Sequence, residues 1–502
     1  MRLKSLNLKN ISIHDPFWSK HVDLVRNAII PYQWEAMNDR IPDAESSHCL
    51  ENFEIAAGRK TGEFYGAVFQ DTDVAKWLEA VGFSLACYPD EALEKTADEV
   101  IDLIAEAQCE DGYINTYYTI KEPGKRWTDL CEGHELYTAG HLIEAAVAYY
   151  EGTGKKKFLD CVSKFADLIC DTFGTEEGKI HGYPESCASI GLALFGLRMA
   201  QITGESQYID VAERALYNTV LAGIALDGKS FFYVNPLEVW PPACMEGTSK
   251  KHVKPIRQKW FGVACCPPNI ARTLASLGQY IYAENSKKKE LYVNLFVSNE
   301  TELDWNENKI SVKLQTEFPW VNTYSLEIKN VPEGEMDLLL RVPDYAQDYQ
   351  VTADGNMYEE NKELEKGYRR VHVEKDTRIE VSFAAPAKFV YANPQVRADS
   401  GKAAIVRGPL VYCLEEIDNS QNLPAVFVDT DTALEEEKSD LFGGIVTVKA
   451  RGKKIVESSV SNSLYSGQKP QLEDVELTAI PYPYWNNRGE GEMLVWMKEL
   501  RP

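Results

Sequence analysis

The spacing of apolar residues changes once along this 502-residue chain, near residue 284, and that change limits the fold class. Before residue 284, apolar residues recur with the three-to-four spacing of amphipathic helices. After it, runs such as LYVNLFVS, KISVKLQT and RIEVSFAA alternate, with turn residues about every eight to twelve positions. The chain is therefore predicted to be a multidomain α+β protein, with a helical part followed by antiparallel β-sandwich.

The helical part carries an internal repeat. TGKKKFLD at 153–160 and TGESQYID at 203–210 each follow one predicted helix and open the next. Repeated helix pairs of this length form either a solenoid or a closed toroid. The periodicity predicts helices over residues 19–38, 73–87, 90–108, 135–151, 155–173, 187–202, 206–224 and 268–283.

Four segments are expected from these patterns. Residues 1–5 are predicted to be an N-terminal strand that joins the C-terminal sandwich, and residues 6–284 a barrel-like helical domain. Residues 285–386 and 387–502 are predicted to be a first and a second β-sandwich, divided near the Pro-containing stretch PAKFVYANPQ.

The composition excludes several classes of partner. A formal charge of −24 disfavours binding to nucleic acid or to an anionic membrane surface. No stretch approaches the roughly 20 apolar residues of a membrane span. The start, MRLKSLNLKN, lacks the apolar core of a signal peptide, and the eleven cysteines form no disulfide-like framework. We therefore expect a cytoplasmic protein with reduced thiols.

The stretch ACCPPNIA at 264–271 is the strongest chemical signal. Proline is favoured in the first turn of a helix, so Pro268 places Cys265 and Cys266 at a helix N-terminus. That position lowers the pKa of a thiol. The pair could bind a soft metal, supply a nucleophile, or simply pack as buried cysteines.

Three further stretches supply candidate ligands and contacts. YPESCASIG brings Glu185 and Cys187 together at another helix start, and one Glu with three Cys is a donor set that zinc accepts. Cys244 and His252 are rival ligands. GHELYTAGH places His134 and Glu135 at the start of a helix, and FFYVNPLEVW offers polar and aromatic groups for a substrate: Tyr233, Asn235 and Glu238.

Taken together, these motifs resemble glycoside hydrolase family 127, the β-L-arabinofuranosidase family. The matching stretches run in order over nearly the whole chain. They are FQDTDVAKWLEA, QCEDGYINTYYT, EGHELYTAGHLIEAAVAYYEGTGKKKFLD, ESCASIGLAL, ALYNTVLAGIALDGKSFFYVNPLEV, WFGVACCPPNIARTLASLGQYIY and GKAAIVRGPLVYCLE. ACCPPNIAR and GHELYTAGHLIEA are long and unusual, which makes the resemblance specific.

The resemblance implies an (α/α) barrel followed by two β-sandwich domains. It also implies a zinc ion bound by Glu185, Cys187, Cys265 and Cys266, with Cys265 as the nucleophile of a retaining glycosidase for terminal β-linked L-arabinofuranose. His134 and Tyr233 match family positions that line the sugar pocket. A glycoside is the expected substrate.

This chain departs from the family pattern at one point. It passes directly from TFGTEEGKIHGYP to ESCASIG, where the family has further helices and the loop carrying the acid/base glutamate. The shortfall is two hairpins, of order a hundred residues. Glu177 is the assigned replacement, with Glu176 and Glu135 as alternatives. The shortened toroid could close as a smaller ring, stay an open horseshoe, or be completed by a second subunit in a homodimer.

Two other functions follow from that departure. The chain could be a catalytically impaired carbohydrate-binding or scaffold protein that keeps its zinc, or a glycosidase for a different sugar.

Overall fold

A computed structural model of the chain describes residues 3–129, 133–172, 186–245, 247–248, 253–305, 308–331, 336–360, 363–393, 396–456 and 465–500. Within these ranges a helical domain is followed by three β-sheets. The fold class predicted from the sequence, a helical toroid followed by β-sandwich domains, is confirmed.

The helical domain consists mainly of long helices that pack against one another. The helices are α1 (Trp18–Leu24, Val25–Ile29 and Ile30–Met37, continuous, with a π-helical middle), α2 (Cys49–Ala56), α3 (Asp71–Cys87), α4 (Glu91–Ala107), α5 (Thr116–Ile120), α6 (Glu135–Thr153), α7 (Lys157–Thr172), α8 (Ser186–Thr203), α9 (Gln207–Ala215, continued by the π-helical turn Leu216–Val220), α10 (Cys266–Ala275), α11 (Gly278–Ile281) and, outside this domain, α12 (Glu416–Asn419). Helix α3 packs between α6 and α10, α6 also packs against α7, and α8 packs against α9 and α10.

One close contact between helices, that of α3 with α6, depends on two glycines. A Cβ added at Gly152 of α6 would lie 2.3 Å from the carbonyl oxygen of Gly82 in α3, and one at Gly82 would lie 2.7 Å from the backbone nitrogen of Tyr149. Because neither glycine has a side chain, the two helix backbones approach directly. This contact anchors α6, whose first turns line the site described below.

The strands form sheets of five, seven and ten members. The strands are β1 (Lys4–Ser5), β2 (Ile11–Ile13), β3 (Glu238–Val239), β4 (Tyr282–Asn285), β5 (Glu290–Val293), β6 (Asn299–Trp305), β7 (Asn308–Thr316), β8 (Thr323–Lys329), β9 (Met336–Arg341), β10 (Gln347–Ala353), β11 (Asn356–Met357), β12 (Tyr368–Val373), β13 (Thr377–Ala384), β14 (Lys388–Tyr391), β15 (Lys402–Arg407), β16 (Leu410–Glu415), β17 (Val426–Val428), β18 (Glu435–Ser439), β19 (Ile445–Ile455), β20 (Leu472–Pro481), β21 (Met493–Leu494) and β22 (Met497–Glu499).

The first sandwich packs the sheet β1-β4-β5-β9-β12 against the sheet β11-β10-β13-β8-β7-β6-β2. Aromatic rings fill the space between them, among them Phe296 stacked on Tyr324 at 4.6 Å. Pairing is antiparallel except between β5 and β9, which are parallel. Strand β6 alternates buried and exposed residues along its length, as its sequence predicts.

The prediction for residues 1–5 is wrong in one respect. Strand β1 pairs with β4, Lys4 opposite Glu284, and so belongs to the first sandwich rather than to the C-terminal one. Leu3 explains the choice, because its side chain is buried with four residues of that sheet: Ala283, Tyr292, Leu339 and Tyr368.

Other N-terminal and helical-domain segments also join the sheets. Strand β2 pairs with β6, and β3 extends the ten-stranded sheet by pairing with β21. That sheet runs β14-β15-β22-β17-β19-β20-β16-β21-β3, with β18 beside β19. The helical domain is thus attached to both sandwiches by backbone hydrogen bonds.

Candidate metal centre and active site

Two helix starts bring three cysteines together. Cys187 lies in the first turn of α8, Cys265 precedes α10, and Cys266 is the first residue of α10, where Pro267 and Pro268 follow. The Cys187 Sγ lies 3.5 Å from the sulfurs of both Cys265 and Cys266, and these two sulfurs are 3.8 Å apart. Cys265 and Cys266 are buried, with at most 3 % of each exposed. The alternative that they only pack the helix start does not explain this convergence.

The charge state of the cluster is asymmetric. Hydrogen bonds with Cys265 and Cys266 hold the pKa of the Cys187 thiol well below its usual range. The same bond to Cys187 raises the pKa of Cys265 to about 11, and burial raises the pKa of Cys266. Without a metal ion, these contacts favour ionisation of Cys187 over that of Cys265 and Cys266. A divalent cation would favour ionisation of all three.

The donor set fits zinc. A tetrahedral zinc with Zn–S bonds of about 2.3 Å separates its sulfur ligands by roughly 3.8 Å. The three observed separations, 3.5 to 3.8 Å, are close to that value. Glu185, the fourth predicted ligand, lies outside the described residues, as does the rival ligand His252. Cys244 is not in the cluster; its thiol donates to the Trp240 carbonyl at 3.5 Å.

A buried lysine lies behind the cluster. Lys76 of α3 is fully buried, and its Nζ donates to the Thr72 hydroxyl at 3.2 Å and to the Tyr137 hydroxyl at 3.0 Å. Its positive charge also lowers the pKa of Cys187. The stretch DTDVAKW therefore contributes electrostatically to the thiols. It also anchors them, since the Asp73 carboxylate accepts the Ala264 backbone N–H at 3.2 Å.

A cavity of about 500 Å³ opens in front of Cys265. The predicted contact residues Tyr233 and His134 both line it, and the Tyr233 hydroxyl lies 2.9 Å from the Cys265 Sγ. The described lining residues are Phe69, His134, Tyr137, His141, Cys187, Gly191, Tyr233, Cys265, Asn269 and Arg272. None of them is a carboxylate.

Several lining residues were missed from the sequence, although helical spacing could have found them. Asn269 and Arg272 follow Cys265 by four and seven positions, which places them on the same face of α10. Tyr137 and His141 follow His134 by three and seven positions on α6. The two sets are held together because Arg272 donates to Glu79 of α3 at 2.9 Å and to Glu144 of α6 at 3.0 Å.

None of the candidate acid/base residues is among the described residues that line the cavity. Glu176 and Glu177 lie outside the described residues. Glu135 is described and is turned away; its buried carboxylate accepts the Tyr113 hydroxyl and, at 2.7 Å, the Trp127 backbone N–H. It joins the loop after α4 to the start of α6. Asn235 and Glu238 are not among the described lining residues, and Glu238 pairs in β3 with Leu494.

Three protein-family models of glycoside hydrolase family 127 match nearly the whole length of the chain. The GH127 catalytic domain of β-L-arabinofuranosidases matches residues 10–185 and 181–279, the GH127 middle domain matches residues 290–386, and the glycoside hydrolase family 127 C-terminal domain matches residues 387–498. The two catalytic matches overlap at residues 181–185 with no chain between them. The family's catalytic domain is therefore interrupted where HGYP meets ESC.

Individual proteins similar to this chain are also named β-L-arabinofuranosidases. The chain is 30% identical to the non-reducing end β-L-arabinofuranosidase of Bifidobacterium longum subsp. longum over 662 residues, covering 97% of this chain and 100% of the relative. It matches the crystal structure of a GH127 β-L-arabinofuranosidase from Geobacillus stearothermophilus at 38% identity and a TM-score of 0.91, covering 98% of this chain and 100% of the other.

A second solved GH127 β-arabinofuranosidase matches at 27% identity and a TM-score of 0.85, covering 99% of this chain and 98% of the other. None of the helices that the structure describes has both the length and the hydropathy to cross a membrane. This chain belongs to glycoside hydrolase family 127 and is a glycosidase.

Proposed function

We propose that this glycosidase releases terminal β-linked L-arabinofuranose with retention of configuration, using the Cys265 thiolate as nucleophile and a zinc ion as cofactor. One observation carries the proposal: the Cys265 sulfur belongs to a three-thiol cluster and also lines a 500 Å³ cavity. The names of the relatives support the choice of sugar.

Each of these residues would have a separate role in the reaction. Glu185, Cys187, Cys265 and Cys266 would hold the zinc ion, which when bound keeps the sulfurs ionised near neutral pH. Cys265 would attack the anomeric carbon, forming a C–S bond as the C–O bond to the leaving group breaks. Water would then attack the same carbon, giving a proton to the carboxylate that had protonated the leaving group, as the C–S bond breaks and the thiolate returns; two displacements retain the configuration. The Tyr233 hydroxyl, 2.9 Å from the sulfur, would orient the nucleophile.

The leaving oxygen needs a proton in the first step. Glu177 is the proposed donor, since the described lining residues include no carboxylate. General acid catalysis contributes roughly 10²–10⁴-fold to such reactions. A weakly active Glu177→Gln variant, rescued on a substrate with an acidic phenol leaving group, would support this role. Equal activity of the variant and the unaltered chain on a poor leaving group would contradict it.

Hydrolysis of a chromogenic β-L-arabinofuranoside by the zinc-loaded chain tests the main proposal. Cys265→Ala should lower kcat by about 10³-fold or more, since it removes the nucleophile. Cys87→Ala is the matched control, because Cys87 is half-buried in α3 with its sulfur 3.9 Å from the Leu8 carbonyl, away from the cavity lining. Undetectable hydrolysis by the unaltered zinc-loaded chain on several β-L-arabinofuranosides would refute the proposal.

Elemental analysis tests the cofactor separately. We expect about one zinc per chain and a clear loss in Cys266→Ala, whose sulfur belongs to the cluster. Zinc far below one per chain after dialysis against zinc would contradict the ligand set.

The lack of a carboxylate among the described lining residues favours one alternative, a sugar-binding protein that keeps its zinc but does not turn over. Arabinose binding by calorimetry without hydrolysis, and with the same affinity in Cys265→Ser, would identify it.

A further inference from the structure

The side chain of Lys76 ends at a tyrosine that lines the cavity. Lys76 is fully buried in α3, and both hydrogen-bond partners of its Nζ within the described residues are neutral hydroxyls, those of Thr72 and Tyr137. A buried charge is costly unless other groups compensate it. Packing alone does not offset that cost, so the position of this lysine calls for a function.

Lys76 keeps its positive charge in this position. Burial by itself lowers the pKa of the Lys76 ammonium. Nearby groups raise that pKa by more, first among them Tyr137, Cys187 and Cys265, so the net shift is upward. Lys76 is therefore a charged group with three N–H donors and no acceptor.

The charge of Lys76 fixes the direction of its hydrogen bond with Tyr137. Because an ammonium can only donate, the oxygen of the Tyr137 hydroxyl accepts from the Lys76 Nζ at 3.0 Å. The proton of that hydroxyl must then point to a different partner. Burial raises the pKa of Tyr137, so the proton stays on the oxygen. In the part of the chain that the structure describes, the Tyr137 hydroxyl donates to no other group, and it thus offers a donor to a ligand in the cavity.

Aromatic contacts hold the Tyr137 ring in place. The ring is nearly perpendicular to the rings of His134 and His141, with centroids 5.8 Å and 4.6 Å away, and Phe69 lies 6.4 Å away. All four side chains line the cavity. Because the ring and the hydroxyl oxygen are both fixed, the donor loses little conformational freedom when a ligand binds. Such a donor suits an acceptor at a defined position, for example a hydroxyl oxygen of a sugar.

Tyr137 and Tyr233 serve different parts of the cavity. The Tyr233 hydroxyl lies 2.9 Å from the Cys265 Sγ. The Tyr137 hydroxyl makes no hydrogen bond to any of the three cysteine sulfurs of the cluster, all of which are described. Tyr233 is therefore placed at the nucleophile, and Tyr137 at a part of the ligand away from the nucleophile.

We propose that the Tyr137 hydroxyl donates a hydrogen bond to a hydroxyl oxygen of the terminal furanose, and that Lys76 is its positioning residue. A hydrogen bond accepted from Lys76 also polarises the Tyr137 hydroxyl and makes its proton a better donor. Since Tyr137 can only donate to the ligand, it selects a sugar that has an acceptor at this position. The inference rests on the proposed function in taking the cavity as the sugar site.

Deoxygenated substrates test the contact. Tyr137→Phe keeps the ring and removes the hydroxyl, so KM for a chromogenic β-L-arabinofuranoside should rise about 10-fold with kcat changed less. Zinc content should be unchanged. Among substrates that lack the 2-, 3- or 5-hydroxyl, one should have the same kcat/KM in the variant and the unaltered chain within about 2-fold, because its partner atom is already gone. Tyr391→Phe, at a 58 % exposed residue of β14, is the matched control and should leave every value unchanged.

Lys76→Met tests the positioning role. It should raise KM in the unaltered background, but by less than about 2-fold more in the Tyr137→Phe background, because Lys76 acts through that hydroxyl. The variants are compared at equal zinc content. Lys76→Gln, which keeps a neutral donor, replaces the methionine variant if the latter does not fold. Equal effects in both backgrounds would show that Lys76 acts independently of Tyr137 and would refute its role.

Calorimetry with methyl β-L-arabinofuranoside separates this inference from the proposed function. Unchanged KM and unchanged affinity in Tyr137→Phe overturn the inference, and so does a loss that is equal on all three deoxygenated substrates. Both results leave the proposed function intact if the unaltered chain hydrolyses its substrate. A chain that does not hydrolyse the arabinofuranoside, but whose affinity for the methyl glycoside falls about 10-fold in Tyr137→Phe, would refute only the proposed function.

Discussion

Replacement of Arg341 by methionine is predicted to be among the most destabilising single changes in the described parts of this chain. Arg341 ends β9 and is fully buried. Its Nη1 donates to Asp210 at 2.6 Å, its Nη2 donates to Glu213, and its Nε donates to the Asn294 carbonyl at 2.6 Å. Asp210 and Glu213 lie on α9, so one guanidinium links the helical domain to the first sandwich.

The magnitude follows from what the substitution leaves behind. Methionine fills much of the volume but removes three donors, and the two carboxylates stay buried, with side-chain exposures of 9% and 1%. Breaking a buried ion pair by removing one partner costs about 3–5 kcal/mol. Burial already raises the pKa of Glu213, so its charge is poorly tolerated even with Arg341 present. We expect a loss of about 3–5 kcal/mol in the free energy of unfolding.

Arg214→Met is the matched control. Arg214 pairs with Asp344 across the same boundary at 3.2 Å, but both side chains are about half exposed. Such a surface pair contributes below about 1 kcal/mol. Both variants can be compared by urea unfolding followed through tryptophan fluorescence, with each transition analysed separately because a multidomain chain need not unfold in one step.

A double variant separates the effect of the unpaired charge on Glu213 from the loss of the other contacts of Arg341. In Arg341→Met with Glu213→Gln, the unpaired buried charge of Glu213 is gone, so the double variant should be more stable than the sum of the two single changes by at least ~1 kcal/mol. If Arg341→Met costs no more than Arg214→Met, the buried network does not hold the domains together and the reasoning fails.

Three further predictions concern the site and its supports. Tyr233→Phe removes the hydroxyl 2.9 Å from the Cys265 sulfur and should lower kcat by roughly 10–100-fold with unchanged zinc content; an unchanged kcat would exclude an orienting role. Burial raises the pKa of Glu79 to about 7 from an ordinary value of 4.5. Between these two pH values the folded state keeps a proton that the unfolded state releases. The free energy of unfolding should therefore fall by up to about 3 kcal/mol as pH rises from about 4.5 to 7. Glu79→Gln should reduce that slope without abolishing it, because burial also raises the pKa values of Asp71 and Asp73, while Glu302→Gln, at an exposed carboxylate, should leave it unchanged. Gly152→Ala should cost about 1–3 kcal/mol in thermal unfolding, since the new Cβ would meet the backbone of Gly82 in α3; a variant as stable as the parent would mean that the helices can separate freely.

The long helices could be predicted because their signal is local. Residues 73–87, 90–108 and 135–151 were expected to be helical, and the observed helices end within two residues of those bounds. Helices α2 and α5 were missed, since eight and five residues are too few to establish a period. The partner of β1 was also predicted wrongly, because two residues carry no information about which distant sheet edge will accept them.

The sequence by itself determined the thiol half of the site. Two prolines after Cys265 and Cys266, and a helix start at Cys187, are local features that predict reactive sulfurs at helix N-termini. Only the tertiary structure decided that these sulfurs, nearly eighty residues apart, lie 3.5 Å from one another, that Tyr233 contacts Cys265, and that Glu135 faces Tyr113 instead of the cavity. The physical reason is that the direction of a side chain depends on how its helix packs against others, and that packing is set by contacts far away in the sequence.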